Sequence, residues 1–148
     1  MLIIHFKRTL EETVNENEKF DKLIEELEKE ASALISSLNK ITDKINHVEG
    51  FLTKLKMNIP FSMPIEKEPG NPEIYWSLSW DYAGQKHSRN RLFLISQENK
   101  ENGEVKKQVF CETPLTLKLK YHKYIDTFIV KFGEFIKEYR ISIEANKI

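Results

Sequence analysis

Apolar residues recur from residue 20 to residue 55 at alternating steps of four and three. The positions are Phe20, Ile24, Leu27, Ala31, Leu34, Leu38, Ile41, Ile45, Val48, Leu52 and Leu55. An average spacing of about 3.5 residues keeps one narrow apolar stripe facing a neighbouring helix, as in a coiled coil. Because no turn-forming sequence interrupts the stripe, the spacing predicts one helix from about Asn17 to Met57. Gly50 is the position at which this helix is most prone to break.

The segment after the stripe changes to an extended pattern. Four prolines and Gly70 lie within residues 58–73, which argues against helix and predicts an extended connector. The stretch EIYWSLSWDY (73–82) then alternates with a period of two, with Trp76 and Trp80 on the same side. RLFLIS (91–96) and EVKKQVFCE (104–112) follow after polar loops. Together these runs predict a three-stranded antiparallel meander.

The residues from Thr113 onward predict a C-terminal amphipathic helix. Thr113 suits a helix cap and Pro114 suits the first turn. LTLKLKY (115–121) alternates as a strand also does, but the Thr-Pro start favours helix. Since a three-stranded sheet needs cover on one face, we expect this helix to pack on the side that bears Trp76 and Trp80. The two tryptophans are then core residues, and the alternative is an aromatic platform for a ligand.

The predicted fold class is α+β, with a long N-terminal coiled-coil helix, a three-stranded meander and a C-terminal amphipathic helix packed on the sheet. The predicted divisions are residues 1–57, the Pro-rich connector 58–73, and residues 74–148. The stripe is roughly 60 Å long and the C-terminal helix only roughly 40 Å. The C-terminal helix therefore cannot cover the whole stripe, so a second copy or the helix of another protein is expected to bury the remainder.

Composition and charge describe an ordinary water-soluble chain of 148 residues with zero net charge. Residues 1–82 carry a net charge of −5 and residues 83–131 a net charge of +5. The acidic residues lie near the start of the predicted helix, where they interact favourably with the positive end of the helix dipole. The two oppositely charged parts of the chain can also attract each other within or between chains. MLIIHFKRTL (1–10) is too short an apolar run for a secretion signal, and no segment approaches the roughly 20 apolar residues of a membrane span. With a single cysteine as well, the predicted location is the cytoplasm, without a membrane partner.

No signature of a cofactor, metal or catalytic site occurs in the sequence. The phosphate-binding, dinucleotide-binding and zinc-binding motifs are missing, so the prediction is a protein that is not an enzyme and binds no cofactor or metal. Cys111 alternates with Val109 and is predicted to be a buried small apolar residue rather than a nucleophile.

Three surfaces are candidates for contact with a partner. The partner stripe comprises Phe20, Ile24, Leu27, Leu34, Leu38 and Ile41 and predicts a homodimer or a helical protein partner. The open face of the sheet offers Tyr75, Phe93 and Ile95, unless LIIHF (2–6) covers them. The basic turn KHSRNR offers Lys86, Arg89 and Arg91 for phosphates, although the zero net charge and the four arginines of the whole chain argue against a nucleic-acid partner.

Three segments resemble a family of small bacterial proteins of unknown function. They are LSWDYAGQ (78–85), RLFLI (91–95) and TPLTLKLKYHKYIDTFI (113–129). The family has Trp before the Arg-Leu pair, where this chain has Asn90. The resemblance implies the same α+β fold and no particular activity. The function expected from the sequence is therefore an interaction or adaptor module that self-associates through its coiled coil, and the alternative is a nucleic-acid-associated regulator that uses residues 86–91.

Overall fold

The computed structural model describes residues 2–85 and 88–146, with side chains from residue 12 onward. Its helices are α1 (Leu2–Lys54), α2 (Leu115–Tyr121) and α3 (Ile125–Ala145). Its strands are β1 (Phe61–Glu68), β2 (Asn71–Tyr82), β3 (Asn90–Glu98) and β4 (Val105–Val109). Two 3₁₀ turns, Phe110–Glu112 and His122–Tyr124, precede α2 and α3. The predicted α+β class is confirmed.

The chain divides into two compact units, Met1–Asn39 and Lys40–Ile148. The first unit is helical over its described residues. The second contains the last part of α1, the sheet, α2 and α3. This division falls inside the long helix, whereas the sequence predicted boundaries at residues 57 and 73.

Helix α1 begins much earlier than the predicted Asn17 and ends slightly earlier than the predicted Met57. At its end the N–H of Met57 donates to the carbonyl of Leu52, and the N–H of Lys56 donates to the carbonyl of Thr53. Lys56 has a positive φ of 55°. This is a Schellman motif, which satisfies the last carbonyls of a helix and reverses the chain.

Gly50 does not interrupt α1, although the sequence marked it as the weak point. Replacing Gly50 by alanine is expected to raise the free energy of unfolding by about 1 kcal/mol, because alanine has the higher helix propensity. A Cβ atom at this position would have no atom within 4 Å. Urea unfolding followed by circular dichroism measures the change as a higher midpoint at constant slope.

Gly70→Ala is the matched control for that substitution. A Cβ at Gly70 also meets open space, but its φ of +82° is unfavourable for alanine, so the control should lose stability. Destabilisation by Gly50→Ala would contradict a regular helix at this position.

The sheet has four strands among the described residues, in the order β1-β2-β3-β4, all antiparallel. The predicted connector is therefore wrong for residues 61–68, which form strand β1. Pro64 is tolerated because β1 is an edge strand, which needs fewer backbone donors than a central strand. Pro69 and Gly70 form the tight turn to β2, where the positive φ of Gly70 suits the third position of a type II turn.

One face of the sheet carries the core, as the period of two in β2 predicted. Leu78, Trp80, Leu92 and Leu94 are almost fully buried there. Phe128 and Phe132 of α3 belong to the same core cluster, which confirms the predicted cover by the C-terminal helix. Three positions of the helical stripe join this cluster from α1, namely Ile45, Val48 and Leu52.

The C-terminal helix starts differently from the prediction. Thr113 does not cap it, because its hydroxyl donates to the carbonyl of Phe110 at 2.7 Å. Pro114 precedes the first residue of α2, and a 3₁₀ turn separates α2 from α3. LTLKLKY is helical, as the sequence favoured.

Candidate functional site

The stripe on α1 is exposed at its N-terminal end. Phe20 is 61% exposed and Leu27 is 64% exposed, and four further large apolar side chains lie exposed in the same stretch: Leu23, Ile24, Leu34 and Ile35. We call these six residues the apolar face. Of the other two predicted stripe residues, Leu38 is buried, and Ile41 is partly buried against the core cluster.

The apolar stripe is therefore buried in one part of α1 and exposed in another. From Ile41 to Leu52 its stripe residues pack against the core of the second unit. From Phe20 to Ile35 most of its large apolar residues are exposed. Residues 20–35 therefore retain an exposed apolar surface of the kind that a helix partner requires.

Acidic residues flank the apolar face. With Ile24 and Ala31 at a positions, the e and g positions from residue 16 to residue 37 are Glu16, Asp21, Leu23, Glu28, Glu30, Ile35 and Ser37. None of these is basic. Since e and g residues meet those of the partner helix in a coiled coil, these positions control which partner fits.

A second apolar surface is a groove between the end of α1 and α3, with a volume of about 360 Å³. Its floor is formed by buried core residues, Val48, Leu52, Phe128 and Phe132. Phe51, Leu55 and Ile129 stand at its sides and are each about half exposed. We call this the α1–α3 groove. It was not predicted from the sequence.

Gly133 also lines the α1–α3 groove. It lies inside the 21-residue helix α3, where glycine is less favourable than alanine by about 1 kcal/mol. A Cβ atom there would have no atom within 4 Å, so internal packing does not require glycine. The absence of a side chain instead keeps the groove open at this point.

The open face of the sheet is less accessible than predicted. Tyr75 points outward and is 36% exposed, Ile95 is half-buried, but Phe93 is only 7% exposed. The Nζ of Lys107 lies 4.3 Å from the centre of the Phe93 ring and 3.0 Å from Oδ2 of Asp81. The prediction of Phe93 as an exposed contact residue is therefore wrong, because β4 brings a lysine across its ring. The segment LIIHF is part of α1, and its side chains lie outside the described ones.

The carboxylate of Asp81 is held ionised by that arrangement. Partial burial by itself would raise the pKa of Asp81, but hydrogen bonds from Lys107 and from the backbone N–H of Tyr82 outweigh it and lower the pKa. The carboxylate of Asp81 thus stays ionised at neutral pH and helps to hold the Lys107 side chain over Phe93.

The basic turn does not form the predicted phosphate-binding cluster. Lys86 lies outside the described residues, and Arg89 is exposed. Arg91 is only 6% exposed, because it lies on β3 and its Nε donates to the carboxylate of Glu49 on α1. A guanidinium held in this way is not free to bind a phosphate, so that prediction is wrong for Arg91.

Glu49 and Arg91 form a buried ion pair that joins α1 to the sheet. The second oxygen of Glu49 accepts the backbone N–H of Leu92 at 3.2 Å, and Nη2 of Arg91 lies 3.2 Å from Sγ of Cys111. Burial by itself would lower the pKa of Arg91, but Glu49 and Cys111 together outweigh it and raise the pKa. Burial, followed by Glu49, raises the pKa of Cys111, which keeps the thiol protonated. The sequence did not show this pair, because its members are 42 positions apart.

A second polar cluster joins the edge strand β1 to the 3₁₀ turn before α3. The hydroxyl of Tyr124 donates to Glu66 at 2.6 Å, and Nε1 of Trp76 donates to Glu68. The hydrogen bond to Glu66 raises the pKa of Tyr124. Burial, followed by the charges of Glu68 and Glu66, raises the pKa of Tyr121, whose hydroxyl has no hydrogen-bond partner among the described residues. Both tyrosines therefore remain protonated, and these contacts explain how the proline-containing edge strand is held.

Within the described residues, no group of three or more His, Cys, Asp or Glu side chains is arranged to hold a metal ion. No helix in the described part of the chain has the length and apolar character to cross a membrane.

The protein is thus an α+β protein in which a helix-backed antiparallel meander is preceded by a long helix with an exposed apolar face. Comparison with protein-family models, curated proteins and solved structures found no match. The resemblance of residues 78–129 to a bacterial family accordingly stays a prediction.

Proposed function

We propose that the protein is a non-enzymatic interaction module that self-associates through its N-terminal helix. The observation that carries this proposal is the apolar face, whose six large side chains are exposed within residues 20–35. Burying one such side chain contributes on the order of 2 kcal/mol. Folded proteins rarely leave a continuous apolar surface of this kind in water unless it binds something.

A second copy of the chain is the partner that we propose. The spacing of the apolar face is that of a helix which packs along another surface, and each copy supplies such a helix. Association would also join the second units of two copies in one assembly. An assembly of this kind can hold bound partners together, which is the sense in which we call the protein an adaptor.

The proposal of a non-enzymatic role is supported by the partners of the buried charged groups. Glu49 and Arg91 bond to each other, and Cys111 is held as a thiol beside them. Each of these groups is explained by its contribution to the fold. The nucleic-acid alternative loses its main support, because Arg91 is buried. In the described part of the basic turn, Arg89 is then the exposed arginine left to contact a phosphate.

Leu27→Ser is expected to weaken self-association by at least about tenfold, because a largely exposed leucine at an interface would be replaced by a polar group. Sedimentation equilibrium over a range of micromolar concentrations measures the association. Ala33→Ser is the matched control, since Ala33 lies on the same helix outside the apolar face, and it should leave the association constant unchanged. A wild-type protein that stays monomeric at tens of micromolar would contradict the proposed function.

A further inference from the structure

Each unit of the chain presents an apolar surface to solvent. In residues 12–39 it is the apolar face, and in residues 40–148 it is the α1–α3 groove. The proposed self-association leaves open which surface of the second copy receives the apolar face. Electrostatics distinguishes the two possibilities.

Direct pairing of two apolar faces brings like charges together. Glu16, Asp21, Glu28 and Glu30 occupy e and g positions, and no lysine or arginine occupies these positions from residue 16 to residue 37. In a parallel or an antiparallel pair, e and g residues of one helix lie against e and g residues of the other. Such a pair therefore has acidic residues on both flanks and no basic residue to compensate them.

The two units carry opposite charges of equal size. Residues 1–39 contain nine acidic and five basic residues, a net charge of −4, while residues 40–148 contain 14 acidic and 18 basic residues, a net charge of +4. The first unit of one copy is therefore attracted to the second unit of another copy and repelled by its first unit. This favours a contact between unlike surfaces of the two copies.

We propose that self-association docks the apolar face of one copy into the α1–α3 groove of a second copy. This inference rests on the proposed function and names the surface that it uses. An amphipathic helix in an apolar groove is a common mode of recognition, in which a few large side chains of the helix enter the groove. Phe20, Leu23 and Leu27 are the large side chains that one side of the helix offers.

The groove has the chemistry that such a helix requires. Its lining is almost entirely apolar, and its floor belongs to the rigid core, so it exists before a helix binds. Gly133 allows close approach along α3, since no other atom lies where its Cβ would be. The exposed Lys54 lies on the part of α1 that lines the groove, residues 47–55, where its charge suits an acidic helix.

The sign of the salt dependence tests the electrostatic part of the inference. Docking between oppositely charged units should weaken when the sodium chloride concentration is raised from about 50 to about 500 mM, whereas pairing of two acidic faces should strengthen. Sedimentation equilibrium of the full chain measures both. Stronger association at high salt would overturn docking into the groove.

Gly133→Leu tests the groove directly. The added side chain should occupy the groove and weaken self-association by at least about tenfold, while the higher helix propensity of leucine leaves the unfolding midpoint unchanged or raised. Gly50→Leu is the matched control, because Gly50 is also a helical glycine with open space around its Cβ and does not line the groove. It should associate as the wild type does. Ile129→Ser, at the side of the groove, is a second variant that should weaken association.

A mixture of two variants separates the inference from the proposed function. Leu27→Ser has a damaged apolar face and an intact groove, whereas Gly133→Leu has an intact face and a filled groove. Each alone should be impaired, and an equimolar mixture should associate again, because the intact face of one variant fits the intact groove of the other.

The outcomes are distinct. If Gly133→Leu associates like the wild type and only Leu27→Ser is impaired, self-association stands and docking into the groove is overturned. If the wild type itself is monomeric, the proposed function fails and the inference fails with it.

Discussion

Glu49→Ala is expected to lower the free energy of unfolding by about 3–5 kcal/mol, because removing one member of a buried ion pair leaves the other charge buried without a partner. The side chains of Glu49 and Arg91 are each 8% exposed. The same substitution also removes the acceptor of the Leu92 N–H. Denaturation by guanidinium chloride, followed by circular dichroism, measures the loss as a lower midpoint.

Two further variants test whether the loss of stability in Glu49→Ala is caused by the burial of the ion pair. Asp126→Ala removes an exposed ion pair with Lys44, whose side chains are 76% and 44% exposed, and should cost less than about 1 kcal/mol. Glu49→Gln combined with Arg91→Met removes both charges and keeps an acceptor for Leu92, so it should recover much of the stability lost in Glu49→Ala. Equal, small losses for Glu49→Ala and Asp126→Ala would show that the pair is not buried in solution.

Trp80→Ala is the second substitution with a large expected effect, a loss of about 3–5 kcal/mol. Trp80 is 1% exposed and belongs to the core cluster, and its Nε1 donates to the carbonyl of Met57 at 2.7 Å. The substitution leaves a cavity and an unsatisfied carbonyl at the end of α1. Thermal unfolding would show this as a lower melting temperature.

Tyr82→Ala is the control on the same strand and the same side. Tyr82 is half exposed at the end of β2, so its loss should change the stability by less than about 1 kcal/mol. A Trp80→Ala protein with wild-type stability would contradict the role of Trp80 as a core residue.

The elements with a regular pattern were predictable from the sequence. The period of two in residues 74–82 identified the buried side of β2, because successive side chains of a strand point to opposite faces. The spacing of apolar residues identified α1, because residues three and four positions apart lie on the same face of a helix. Strand β1 was missed because its prolines and those around it outweighed the alternation of Phe61, Met63 and Ile65, and an edge strand tolerates proline where a central strand does not.

The candidate sites depended on contacts between distant residues. Arg91 lies in a basic run, KHSRNR, and sequence alone suggested an exposed side chain. Its partner Glu49 comes from another element, so only the packing of α1 on the sheet shows that Arg91 is buried. The burial of Phe93 also depends on a distant residue, because Lys107, which covers its ring, lies on β4.

The sequence by itself determined the order and type of most elements, the buried side of β2, and the existence of a long apolar stripe on α1. These features follow from local periodicity, which needs no knowledge of distant contacts. Only the tertiary structure decided that the stripe packs against the core from Ile41 to Leu52 and is largely exposed from Phe20 to Ile35. The physical reason is that apolar spacing shows which side of a helix avoids water, whereas the surface that covers this side depends on how the sheet and α3 pack against it.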